Sequence, residues 1–278
     1  MIRVKTKLVW WSRFILKVSL LSLRIPNKIF NKFGIFRHGA MDQDSYVNKI
    51  WKIHFLDVEK DFLISRDGLF LEIGPGDSLK SAVKAFESGF NKIALIDKGM
   101  HAIDQKYIKD YFSKKNFNSD NEFLKTTTAN SFNYLIDGIK SLSYLEKNSV
   151  SYVFSNSVLQ HFDKNDLNYF IKNLHKVSSD HCIQSHVIDL KDMINRSHNH
   201  HECPDFIWES KFFKELLIYT NRLNTEEWID LFTKNGFKIL NIKIYDDEGK
   251  LFDLNKSSIN ADYKIANIHL IIEKEVKR

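Results

Sequence analysis

Proline is scarce in this chain, with three in 278 residues, and glycine numbers only ten. That poverty excludes a low-complexity linker or a disordered chain, neither of which buries a core. Cysteine is scarcer still: Cys182 and Cys203 are too few for a disulfide framework and have no zinc-site spacing, so free thiols in a reducing, cytoplasmic compartment are expected. Long apolar runs are missing too. Leu8–Leu23 comes nearest, but Arg13 and Lys17 interrupt it, whereas a spanning helix needs about 20 mainly apolar residues. It also lacks the small-residue cleavage site of a secretory signal. What is present, 43% hydrophobic and 27% charged residues, suits a globular protein with one good core.

Acidic residues are absent from one region. Before residue 41 there are nine Lys or Arg and no Asp or Glu, which leaves 32 bases against 35 acids, a net −3, for the rest. The overall +6 therefore belongs to one end, and the basic pI does not mark the body as a nucleic-acid binder. Placed on a helix, Arg3, Lys7, Arg13, Lys17, Arg24 and Lys28 share roughly one third of the wheel, with Leu8, Trp11, Ile15 and Val18 opposite. Three readings stay open for residues 1–45. They are peripheral contact of residues 1–37 with the inner membrane face, packing on the protein's own domain or a second subunit, and RNA contact. Pro26 ends or kinks the segment.

From residue 46 onward, apolar strand-like runs alternate with helical ones. Helices are expected over Tyr46–Phe62, from the turn after Ile73 to about Ser88, over Asp166–Val177, and from Thr225, which has the look of a capping box, to Gly236. Strands are expected at Leu69–Ile73, Lys92–Ile96, Ser149–Phe154, His181–Val187, Lys238–Tyr245 and Ala266–Glu273. Such alternation predicts an α/β fold, a mostly parallel sheet with helices on both faces.

Gly74-Pro75-Gly76 falls where the first strand hands over to a helix, and glycines there let backbone approach a ligand closely. A dinucleotide-binding turn is the rival, but its third glycine would fall at Leu79, and Asp77 within the turn repels a pyrophosphate. Glu72, ahead of the turn, suits a ligand with an ammonium group. Asp97 ends the next strand, 21 residues after Gly76, where a carboxylate accepts both hydroxyls of a ribose.

Leu71–Ser78 resembles motif I of class I S-adenosylmethionine-dependent methyltransferases, with Ser78 where the third glycine usually stands. Asp97 matches the ribose-binding acid. Asp137-Gly138-Ile139 falls at the adenine-contacting segment, with Gly138 in place of the acid. Ser149–Phe162 is similar to the fourth-strand motif, matching at Ser155, Val158, Leu159 and His161. Gly236-Phe237 resembles the turn into the penultimate strand. The resemblance spans about Phe62–Lys274. It implies a Rossmann-like, seven-stranded sheet over residues 46–278 with an insertion at about 189–224. S-adenosyl-L-methionine is the implied cofactor, held by Glu72, Gly74, Pro75, Gly76, Asp77, Ser78, Asp97, Asp137, Gly138, Ile139 and Ser155. Gly74–Leu79, Ser185–Asp192, Trp208-Glu209-Ser210, Tyr219–Arg222 and His38–Asp42 further resemble bacterial methyltransferases associated with cell-surface polysaccharide synthesis. A glycan or small-molecule oxygen is then the expected acceptor, with nucleic acid disfavoured. An RNA or protein methyltransferase, a nicotinamide-dependent oxidoreductase and a non-enzymatic scaffold are the alternatives.

An oxygen acceptor must lose a proton. His186, at the end of its strand, is the first candidate base, and His161 the second, with Asp189 orienting or replacing either. Against these, His186 could be hydrogen-bonded structure and Asp189 a cap. Tyr219, Asn221 and Arg222, in the insertion, are expected to read the acceptor, Arg222 through a phosphate or carboxylate. His198–Cys203 has no usual zinc spacing, so no metal is expected.

Overall fold

Leu69–Ile73 is buried at all five positions, the mark of a strand covered on both faces. It forms β1 at the centre of a seven-stranded sheet in a computed structural model that describes residues 2–22, 42–117, 130–216, 218–252 and 265–276. The other strands are β2 (Lys92–Ile96), β3 (Ser131–Leu135), β4 (Val150–Asn156), β5 (Ser178–Asp189), β6 (Phe237–Asp246) and β7 (Ile265–Lys274), in the order β3-β2-β1-β4-β5-β7-β6. β1 to β5 are parallel, and β7 runs antiparallel between β5 and β6. The order reverses between β1 and β4, so the carboxyl ends of those two strands open a crevice suited to a ligand.

Each face of the sheet has its own core. One packs Leu71, Val153 and Ile268 against α5 (Lys164–Val177) and α6 (Thr225–Lys234). The other packs Phe70, Tyr152 and Phe154 against α2 (Asp44–Trp51), α3 (Lys80–Glu87) and α4 (Gln105–Ser113). The expected fold is thus observed, with differences of detail. The Tyr46–Phe62 helix is interrupted, since α2 passes through a π-helical turn at Lys52–Leu56 before Asp57–Glu59. The capping box of α6 belongs to Asn224 and Glu227, one residue before the expected start, because the Asn224 carboxamide takes the Glu227 N–H. β3 lacks the long β-branched run that announces a strand, and sequence patterning did not single it out.

The N-terminal segment forms α1 (Ile2–Ser22), and its inward face is not the one expected from the wheel. Trp10 and Phe14, 1% and 7% exposed, stack on Trp208 and Phe213 of the one-turn helices Asp205–Trp208 and Lys211–Lys214. The Trp10 indole donates to Asp192 at 3.1 Å, Lys17 donates to the Met193 carbonyl at 2.7 Å, and Arg13 donates to Asn195. Two of the cations grouped on one third of the wheel therefore anchor α1 to residues 192–195, while Ile15 and Leu8 turn outward. Packing on the protein's own body is observed, because indole and phenyl area is buried there. Among the described residues no helix is long and apolar enough to cross a membrane. Pro26 and His38–Met41 lie outside the described residues.

Trp10→Ala should remove about 3–5 kcal/mol of docking, the usual cost of deleting a buried Trp. Hydrogen exchange should then quicken at the α1 amides while sheet amides keep their protection; equal loss in both would contradict a separately docked helix.

Candidate active site

Three backbone hydrogen bonds stitch together the loops that follow β1, β2 and β3. The Gly74 N–H donates to Ile96 O, Asp97 N–H to Leu135 O and Gly138 N–H to Asp97 O, each at 2.8 Å. Gly74 and Gly76 have φ of +72° and +70°, the left-handed region open to glycine. Gly74 also has no room for a side chain: a Cβ there would lie 2.4 Å from Cγ2 of Val158, which follows β4. Ser78 shows no positive φ, so a glycine is not required in its place. Its buried hydroxyl turns away from the crevice to Asp104 at 2.5 Å, and the same carboxylate takes the Leu79 N–H at 2.9 Å. Through this side chain Ser78 ties the turn to Asp104 in the loop after β2. Pro75 is buried, and the Asp77 carbonyl takes the Ile103 N–H at 2.9 Å.

Two carboxylates face this turn. Asp97, 13% exposed, takes the Lys98 N–H at 2.7 Å and the Gly76 N–H at 3.3 Å, and His101 Nε2 stands 4.0 Å away. Glu72 is 2% exposed and accepts from the Ser81 hydroxyl. Burial, opposed by the Ser81 hydrogen bond and helped by the Asp97 charge, pushes the Glu72 carboxyl up to about 8. An anionic pyrophosphate beside these acids would raise that cost, whereas an ammonium would relieve it. A desolvated acid and a second carboxylate beside it suit a cationic ligand better than an anionic one, as an amino-acid nucleoside such as S-adenosylmethionine would be. Asp137 and Gly138 adjoin this wall, but the Asp137 carboxylate takes the Tyr144 hydroxyl at 2.7 Å and the Gly138 N–H is spent on Asp97, leaving Ile139 between them and the core.

On the acceptor side the structure separates the candidates. His186 is completely buried and stacks on Phe232. Its Nε2 donates to Gln184 at 3.0 Å and its Nδ1 accepts from the Ser155 hydroxyl at 2.8 Å. Burial pushes its pKa down to about 3. With no exposure and both nitrogens engaged inside, His186 is no base for an external acceptor and Ser155 no cofactor ligand; both are corrections. Asp189 is a cap: it takes the Lys191 N–H at 3.0 Å and pairs with Arg196 at 2.9 Å.

His161, by contrast, lies half-buried on the turn after β4. Its Nδ1 donates to the Tyr219 carbonyl at 2.8 Å, and its Nε2 accepts from the Gln160 carboxamide at 3.5 Å. Asn221 binds the same turn: its N–H donates to Gln160 O at 2.6 Å and its carboxamide to Leu159 O and Phe162 O at 3.0 and 3.1 Å. Tyr219, 1% exposed, donates its hydroxyl to Glu209 at 3.1 Å. Arg222 lies over the Trp208 ring, pairs with Asp205 and Glu209, and donates to Cys203 O at 2.9 Å. The insertion residues expected to read an acceptor instead clamp the His161 turn and the wall behind it. They are internal bonds because the chain folds back on itself there.

Sequence reading missed a second buried network. His54, on the π-helical turn, holds Asn156 Oδ1 at 3.2 Å and the Ser185 hydroxyl at 2.8 Å, and His269 Nε2 meets that hydroxyl at 2.7 Å. Donation from His54 Nε2 to Asn156 requires Nδ1 to accept from Ser185 and His269 to donate to it. This order keeps both imidazoles neutral, and burial accordingly pushes their pKa values down to about 4 and about 3. The chain fixes the carboxamide of Asn156 at the carboxyl end of β4. Two His in separate elements, meeting on one serine, carry no signal in sequence order. Asp104 and Tyr134, which secure the loop after β2, were likewise passed over. Among the described residues no group of three or more His, Cys, Asp or Glu is arranged to hold a metal.

No protein-family model matches this chain, and no curated protein matches it in sequence. Solved structures do. A SAM-dependent methyltransferase from Methanosarcina mazei superposes with a TM-score of 0.52 at 16% identity, covering 79% of this chain and 98% of that one. A protein of Galdieria sulphuraria assigned as a sarcosine dimethylglycine methyltransferase gives 0.52 at 11% identity, covering 90% and 97%. At these identities the likeness is one of fold, the Rossmann-like fold of class I methyltransferases.

Glu72 yields a pH signature. An ammonium ligand favours its ionised form, so affinity for S-adenosylhomocysteine should rise with pH and level off above about 8. Calorimetry near neutral pH should register proton release, and Glu72→Gln should abolish it and weaken binding. In the free protein the native state retains a proton that the unfolded chain has lost above 4.5, so unfolding free energy should fall between there and about 8, a slope the same substitution flattens. pH-independent binding would contradict this assignment.

Proposed function

We propose that this protein is an S-adenosylmethionine-dependent methyltransferase that methylates an oxygen of a glycan or small-molecule acceptor. The observation that carries the proposal is the pair Glu72 and Asp97, two interacting carboxylates beside the Gly74–Gly76 turn. That set favours a cation, which argues against a nicotinamide dinucleotide on the same fold. RNA and protein acceptors are less well supported, since the body is net acidic. A surface polysaccharide or its precursor is the acceptor that the motifs favour, and peripheral membrane contact through residues 1–37 belongs to the same reading.

Bound in the crevice, the cofactor supplies a methyl group on a cationic sulfur, transferable in line to an oxygen. The chain's own residues do the rest. Asp97 holds the ribose diol and Glu72 answers the ammonium. His161, its tautomer fixed by the Nδ1 bond to Tyr219 O, takes the acceptor hydroxyl's proton on Nε2 in exchange for the long 3.5 Å contact with Gln160. Asn221 keeps that turn in place, and Asn156 contributes a fixed carboxamide at the same end of β4.

Asp97→Ala should abolish S-adenosylhomocysteine binding in calorimetry without unfolding the protein. His161→Asn should leave that binding unchanged while lowering turnover about 10²–10⁴-fold, the usual worth of a general base. Undiminished cofactor binding by the first variant would overturn the proposal.

A further inference from the structure

We infer that Asn156 selects the acceptor: a buried chain from His269 through Ser185 to His54 turns its carboxamide so that two N–H groups face the crevice and take an oxygen lone pair. The argument begins on one face of β4. Tyr152, Phe154 and Asn156 are alternate residues of that strand, so their side chains leave on the same side. All three meet His54. The Tyr152 hydroxyl donates to the His54 carbonyl, the Phe154 ring stacks on the imidazole at 4.9 Å between centroids, and Asn156 turns its Oδ1 to Nε2 at 3.2 Å. The π-helical turn at Lys52–Leu56 carries His54, and such single turns occur frequently at functional sites.

A ring clamped on carbonyl, face and edge can still carry its proton on either nitrogen. Ser185 and His269 decide which. The Ser185 hydroxyl lies 2.8 Å from His54 Nδ1 and 2.7 Å from His269 Nε2, and a hydroxyl has one proton to give. With His269 donating to it, Ser185 gives that proton to His54 Nδ1, and the His54 Nε2–H is left for Asn156. His54, Ser185 and His269 are 0%, 0% and 2% exposed, so the order is set inside the protein. Reversing every bond would turn the carboxamide over and present its oxygen to the crevice instead. His54 is therefore a positioning residue, and the direction of the chain behind it fixes which end of Asn156 a substrate meets.

Asn156 is half-buried at the carboxyl end of β4, one position beyond Ser155, which pairs with Ile73 at the end of β1. Its Oδ1 is spent on His54, and among the described residues no group takes its Nδ2 protons. Two amide donors are matched by oxygen lone pairs and left unpaired by an ammonium, which has only protons to offer. On the transferase reading, on which this step rests, the acceptor gives Asn156 one oxygen while its reacting hydroxyl faces His161. A vicinal diol of a sugar meets both demands, and a lone amine is turned away.

The test is nuclear magnetic resonance on the full chain labelled with 15N. Two-bond nitrogen–proton correlations should show His54 and His269 as neutral rings protonated at Nε2, neither titrating until about pH 4 or below. Ser185→Ala should leave His54 divided between tautomers and move the Asn156 carboxamide resonances; should that variant fail to fold, the wild-type spectrum alone decides the tautomers. In the wild type, S-adenosylhomocysteine should shift the Asn156 resonances. Glycerol added to that complex should shift them further, and ethylammonium should not. Nδ1–H on both rings, a charged His54 at neutral pH, Asn156 resonances indifferent to Ser185→Ala or to bound S-adenosylhomocysteine, or no greater response to glycerol than to ethylammonium would each overturn the inference. The expected tautomers in a chain that binds no S-adenosylhomocysteine would uphold the orientation of Asn156 and sink the transferase reading alone.

Discussion

The contact between Gly74 and Val158 constrains everything at the carboxyl end of the sheet. β1 and β4 are neighbours only because the chain order reverses there, and the loops leaving them must pass within van der Waals distance. Gly74 yields the space, and Ser157 takes up the remaining distortion with φ of +56° while its N–H bonds to Val187 O at 2.8 Å. From that crossing, one loop runs on to Ser78 and the Asp104 bond, and the other to His161. The nucleoside side and the acceptor side of the crevice are thus set relative to each other by a single close approach.

The two sides are built on different chemistry. Around Glu72 and Asp97 negative charge is concentrated and partly suppressed by burial, which leaves a local deficit that a cation answers. Around His161, polar groups are satisfied internally, by a backbone carbonyl, by Asn221 and by the salt-bridged wall of Arg222, Glu209 and Asp205. One side therefore waits for a charged partner, whereas the other supplies a rigid surface. Rigidity there has a use: a base can take a proton only within hydrogen-bond reach of it, and a misplacement of an ångström costs much of the rate.

The contrast explains what could be read in the sequence. Local features were legible. β1 and β2 have the expected bounds because a buried parallel strand is a short apolar run, and the acids at Glu72 and Asp97 stand out against it. His186 was misjudged because β5 is buried on both faces, so alternation does not tell which polar side chain looks outward. Tyr219, Asn221 and Arg222 stand out as a group, but their side-chain hydrogen bonds reach residues as far as 62 positions away, a relation that no periodicity encodes. The α1 wheel failed for a similar reason. Amphipathic analysis assumes one wet face and one buried face, and here Lys17 is bound to a carbonyl while Ile15 is outside.

The docking of α1 also imposes an order on synthesis. Trp10 waits for Asp192, 182 residues further along, and for Trp208 and Phe213 beyond it. At a ribosomal pace of about 5–20 residues per second that interval lasts roughly 10–40 s. Throughout it both apolar faces of the helix are uncovered at once, with the cations beside them. A nascent chain in that state is stickier than the finished protein, and whichever surface meets it first, chaperone or bilayer, does so before the fold has closed over its inner face.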